Sequence, residues 1–246
     1  MSQPEAMSQP EAMLPLLTAN VDKLDNTSLT ILSQFEWALP LLTTNVDKLD
    51  NTNLMVMCQF EWALPLLTAN VDKLNLEHCA ILSTHEWALQ LFTSNATMLN
   101  YDAWKYLCMH EWALPLLTAN ANKLVHEHWI MLSKSEWALP LLTSNVSKLN
   151  DDTWKCLCGR EWALPLITVN VHRLNNTHWR CLCLREWALP LLTANADKLK
   201  LDHFMMLKRH EWGLPLAILL MNAFVIKQCA SFANNSCRSR HMYDDH

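Results

Sequence analysis

The chain has 246 residues, of which 51% are apolar and 17% charged, and its net charge is −5. That is enough apolar material for a continuous core, and it excludes an intrinsically disordered chain. Gly159 and Gly213 are the only glycines, which excludes the glycine-rich loops that cradle nucleotide phosphates.

The charge is unevenly spread. Residues 1–125 carry 13 acids and 5 bases, a net −8, whereas residues 126–246 carry 11 acids and 14 bases, a net +3. Neither half has the dense basic face that nucleic acid usually requires. The nine cysteines follow an internal repeat rather than a disulfide framework. The opening MSQPEAMSQPEAM lacks the apolar stretch of a secretion signal, so we expect reduced thiols and a cytoplasmic protein. The longest apolar run, at residues 214–226, is too short to span a bilayer, so no membrane partner is expected.

Residues 1–12 read MSQPEA twice, and residues 1–10 are expected to form a flexible arm. From residue 11 a unit of 25 residues takes over, nine times without insertion, through residue 235. Its clearest form is EWALPLLTTNVDKL at residues 36–49. A fixed period of this size marks a repeat array. Each unit is counted here from its Glu as position 1. Position 5 is Pro in every unit except that of Gln90, which places a helix start at positions 1–5. Leu at 4, Leu at 7, Val or Ala at 11 and Leu at 14 make an apolar stripe, so the spacing predicts a first helix over positions 3–13. Asp or Asn at position 15 (Asp25, Asp50, Asn75, Asn100, Asn150, Asn175) is a good N-cap. A second helix is therefore predicted over positions 16–25, halted by the next Pro. Two short helices cannot bury their faces alone, so the fold class is all-α, an α-solenoid of stacked two-helix repeats. Trp at position 2 is read as the buried anchor between units, because burying one removes about 150–250 Å² from water. The last unit, 211–235, departs from the pattern and is read as a C-terminal cap; residues 236–246 are expected to be disordered.

Several recurring residues invite chemistry. Asn at position 10 and Thr at position 8 each recur eight times; a ladder serving backbone groups explains them without a ligand. Glu at position 1 and Lys or Arg at position 13 form rows of opposite charge, read as solvated ion pairs rather than acid–base catalysts. Histidines at positions 18 and 25 share a face of the second helix, but zinc ligands must converge to about 2 Å from the metal across separate layers. The pairs Cys156/Cys158 and Cys181/Cys183 lie within a helix, where residues two apart diverge, so they are read as packing. No cofactor and no metal are expected, and no catalytic residue is assigned.

What varies is the surface of the second helix. From Lys105 onward it gains Lys134, Lys155, Arg160, Arg180, Arg185 and Arg209, with His128, His178, His203 and His210 beside them. A fixed frame with a variable face is how repeat proteins build binding surfaces. The expected function is a non-enzymatic scaffold, and these eleven residues are the candidate contacts to a partner protein, an acidic segment fitting them best. Single-stranded nucleic acid read one nucleotide per unit is the alternative, as is a purely structural spacer or virion protein.

Leu66–Leu67, Asn70, Asp72–Lys73–Leu74 and Leu82–Ser83 together resemble the short LLxxNxDKI repeats abundant in proteins of large DNA viruses. The likeness spans almost the whole chain, although Trp here follows Glu and the units are longer. The resemblance implies a helical array, in host cytoplasm or virion, and carries no functional residue across.

Overall fold

A computed structural model describes residues 13–223 and 225–226. The expected arm at 1–10 and the tail at 236–246 lie outside the described residues. The chain divides into two compact units, Met1–Met131 and Leu132–His246. Within each, the described residues form an all-α solenoid of two-helix repeats that pack on their sequence neighbours, with no strand among them.

The repeat from Glu36 is representative. A 3₁₀ turn, Glu36–Ala38, leads into an α-helix, Leu39–Thr44, with Pro40 in its first turn. A second 3₁₀ turn, Val46–Lys48, precedes the helix Asn51–Met57. The first helix is therefore not continuous over positions 3–13 as the stripe suggested. Asn45 breaks it: its backbone leaves the helical region at φ −121°, ψ 28°, and its Nδ2 donates to Leu41 O, satisfying a carbonyl that would otherwise be stranded. The same bond, at 2.9–3.0 Å, recurs for all eight position-10 asparagines. Thr at position 8 bonds back to the carbonyl of position 4 at 2.7–2.8 Å in six repeats.

The predicted N-caps are present. Asp25, Asp50, Asn75, Asn100, Asn150 and Asn175 each accept the backbone N–H three residues on, at 2.8–3.1 Å. The second helix stops at position 22, three residues short of expectation and well ahead of the next Pro. Its last turn tightens, with Gln59 N–H donating to Val56 O and Phe60 N–H to Met57 O, and Phe60 then extends at φ −127°, ψ 127°. Among the described residues every turn is made without positive φ. A chain with two glycines can therefore turn back on itself at every repeat.

The core is built from small and aliphatic residues rather than from the Glu-Trp tryptophans. Ala at position 3 and Leu or its equivalent at positions 6, 7 and 22 are buried throughout the inner repeats. The buried tryptophans are Trp104, Trp129, Trp154 and Trp179, at position 19. Trp37 and its counterparts at position 2 are only half-buried. Where position 25 is a ring they lie flat against it, as in Phe35–Trp37 and Phe60–Trp62 with centroids 5.9 and 5.6 Å apart. The expected anchor is thus a flank of the seam, half-buried next to the fully buried Ala at position 3.

Candidate interaction face

The candidate contacts lie on the second helix or in the turn that follows it, where Lys134, Arg160, Arg185, Arg209 and His210 stand, and the structure sorts them by position. His128, His178 and His203, at position 18, are at most 1% exposed and are withdrawn from the surface. Together with His78 they tie repeats to each other. Each Nδ1 accepts the backbone N–H at position 15 of its own repeat, at 2.8–3.2 Å. An accepting Nδ1 leaves the ring proton on Nε2, which donates at 3.0–3.4 Å to the carbonyl at position 16 of the preceding repeat. The signal was in the sequence: where position 15 is Val125 or Lys200 and no Asp or Asn cap exists, position 18 is His128 or His203. Burial pushes the imidazoles of both below the ordinary histidine value, so they are held neutral.

Histidines at position 25 have a different fate. His85, His110 and His210 are half-buried and stack on Trp87, Trp112 and Trp212 at 5.2–5.4 Å. His210 therefore keeps a place on the face, with one ring surface covered.

The cationic candidates are exposed: Lys105 and Lys134 in the middle of the chain, then Lys155, Arg160, Arg180, Arg185 and Arg209. In the C-terminal unit two consecutive second helices, Asp151–Leu157 and Asn176–Leu182, pack side by side. A groove of about 410 Å³ runs between them, lined by Lys155, Cys156 and Gly159 on one side and Cys181, Leu184 and Arg185 on the other. Asp152 lines it as well. The guanidinium of Arg185 lies beside Gly159, 3.9 Å from where a Cβ would stand, an ordinary contact distance. Arg180 lies 3.9 Å from Asp202 of the next repeat, an exposed and weak pairing.

Sequence reasoning missed the groove. Cys156 and Cys181 were assigned with Cys158 and Cys183 to packing, yet the pairs split as helical geometry demands: Cys158 and Cys183 are fully buried while Cys156 and Cys181 are half-buried along the groove. Burial drives the thiols of Cys58, Cys108, Cys158 and Cys183 up to about 12, so they stay protonated and unreactive.

The cation row at position 13 pairs with a different partner than the Glu row. Lys48 meets Asp22, and Lys73 meets Asp47 at 3.3 Å, in each case position 12 of the preceding repeat. Among the described residues no three of His, Cys, Asp or Glu converge as metal ligands would, and no helix is long and apolar enough to cross a membrane. The chain matches no family model, and no curated protein or solved structure is similar to it.

Proposed function

We propose that the chain is a non-catalytic binding scaffold whose C-terminal repeats hold an acidic segment of a partner protein. The observation that carries this reading is the groove between the Asp151–Leu157 and Asn176–Leu182 helices, with Lys155 and Arg185 on its walls. Arg160, Arg180 and Arg209 extend the same positive face to either side. Carboxylates suit it because guanidinium groups bind them bidentately. Leu184 and the two thiols supply an apolar floor for an aliphatic side chain between acids.

The test is fluorescence anisotropy with a labelled oligo-glutamate peptide, with oligo-uridine RNA of matched length in parallel. A triple charge reversal, Arg160→Glu, Arg185→Glu and Arg209→Glu, is the control. Exposed ion pairs are worth about 0.5 kcal/mol each, so losing three should weaken the peptide roughly tenfold. Tighter binding to RNA with a steep loss of affinity in salt would favour the nucleic-acid alternative and overturn this reading. Equal peptide binding by the triple variant and the parent chain would overturn it too.

A further inference from the structure

Among the described residues seven cysteines carry free thiols, and five of them, Cys58, Cys79, Cys108, Cys158 and Cys183, are buried. Burial raises all five above the ordinary thiol value, which keeps them protonated. Cys156 and Cys181 are the exceptions, each half-buried. Both stand at position 21, where other repeats put a larger residue such as Ile81, Tyr106 or Met131. Both line the groove between the helices Asp151–Leu157 and Asn176–Leu182, one thiol on each wall.

The two thiols differ in what stands over them. Gly159 N–H donates to Cys156 O at 3.1 Å, and Leu184 N–H donates to Cys181 O at 3.3 Å. Each helix therefore leaves through a 3₁₀-type turn, in which residues three apart eclipse. Over Cys181 the eclipsing residue is Leu184. Over Cys156 it is Gly159, which has no side chain, whereas position 24 elsewhere carries one, such as Gln59, Met109 or Lys134. Two cations flank the uncovered thiol. The guanidinium of Arg185 lies beside Gly159, and Lys155, exposed, lines the same groove.

We propose that Cys156 is a modification site for small anionic disulfides, with Arg185 and Lys155 drawing the carboxylates of the reagent to it. The Cys156 thiolate attacks one sulfur of the reagent. A protein–reagent S–S bond forms, the S–S bond of the reagent breaks, and the other half leaves as a thiolate that takes up the proton Cys156 gave up. The protein thiol is oxidised and the leaving half is reduced, so the disulfide is itself the oxidant. Cations on the walls concentrate an anion and repel a cation, so the charge of the reagent sets the rate. The inference shares the groove with the acidic-segment reading but does not rest on it: a thiol adduct is read by mass, peptide binding by anisotropy.

The full chain is treated with glutathione disulfide, an anionic reagent, or with cystamine, a cationic one, and peptide mapping by mass spectrometry times the adduct at each cysteine. Each rate is taken relative to the same cysteine in the urea-unfolded chain, which removes the intrinsic difference between reagents. Cys181→Ser and Cys156→Ser chains time each groove thiol without its neighbour. Cys156 should react first of the described cysteines, with a preference for glutathione disulfide of roughly tenfold. Arg185→Gln combined with Lys155→Gln should erase that preference. Gly159→Leu, which copies the turn after Cys181, should slow Cys156 to the rate of Cys181. No adduct at Cys156, or faster reaction at Cys181, would overturn the site. Equal relative rates with the two reagents, or a preference that survives the loss of both cations, would overturn the role of charge and with it the anionic class of reagent.

Discussion

The two compact units share a frame and differ in what they display on it. In the N-terminal unit Lys48 and Lys73 reach back to Asp22 and Asp47, and position 25 is a ring, Phe35, Phe60, His85 or His110, laid on the following Trp. In the C-terminal unit position 12 is Ser147, His172 or Asp197, and position 25 is Ser135, Arg160 or Arg185 before the ring returns at His210. Yet the backbone angles at the breaking asparagine are the same to within a few degrees, φ −123°, ψ 33° at Asn70 and φ −123°, ψ 30° at Asn145. The frame rests on Ala at 3, Leu at 6, 7 and 22, and an Asn whose Nδ2 bonds a carbonyl of its own repeat. None of these reads the surface, so the surface is free to change sign from one unit to the other.

The sharpest way to break that comparison is in the core. Leu67 and Leu142 occupy position 7 of the two units, and both are completely buried. Leu67→Ala and Leu142→Ala should each cost about 2–5 kcal/mol in urea unfolding, since the lost contacts and the residual cavity add. The two costs should agree to within about 1 kcal/mol. A mild effect in one unit beside a severe one in the other would mean the repeats are alike in backbone and unlike in packing.

A smaller effect is expected at Gly213, where the C-terminal unit departs from its own rule. The seven inner repeats carry a buried Ala at this position 3. A Cβ on Gly213 would stand 2.6 Å from the carbonyl oxygen of Leu207 and 3.1 Å from its carbon. These are backbone atoms and cannot swing aside. Replacing glycine ordinarily stabilises by about 0.4–1 kcal/mol through the unfolded chain. Overpacking costs about 1–3 kcal/mol, so the clash wins. Gly213→Ala should therefore lower the unfolding midpoint, and a neutral or raised midpoint would show that the last repeat can relax to the spacing of the others.

Much of this was legible because the repeat printed it nine times. The position-15 caps, the position-5 prolines and the apolar stripe each follow from local chemistry, and all are in place. Three expectations differ from the structure. The first helix breaks at Asn45, whose Nδ2 bonds a carbonyl of its own helix, the second ends at Met57 in a tightened turn, and Trp62 is half-buried, and the apolar period within one unit reports none of these. The candidate face was legible in its charges, Arg160 and Arg185 above all. Its buried histidines were misplaced because a polar residue on a variable helix reads as solvent-facing until its bonding partner, a backbone carbonyl 27 residues earlier, is known.

The smallest predicted effect concerns those histidines and compares the units through one titration. His128 in the first unit and His203 in the second are both held below the ordinary imidazole value, chiefly by burial. Around His128 the charged neighbours are Glu127, which favours protonation, and His126, which opposes it; around His203, Asp202 favours it while Lys200 and Arg180 oppose it. A folded value below the unfolded one means that the unfolded chain binds more protons between the two. The stability each contributes is therefore complete above about pH 6.5 and is lost as pH falls through the folded value. Protonation would also place an N–H at Nδ1 against the backbone N–H that it now accepts, from Val125 or Lys200. The chain contains its own control: Asn53, also at position 18, accepts the Asp50 N–H through Oδ1 and donates through Nδ2 to Thr30 of the preceding repeat. His128→Asn and His203→Asn should thus keep most of the stability at neutral pH while each flattens the decline of the urea midpoint below pH 6.5. An unchanged slope in either variant would place the acid sensitivity of that unit in its carboxylates instead.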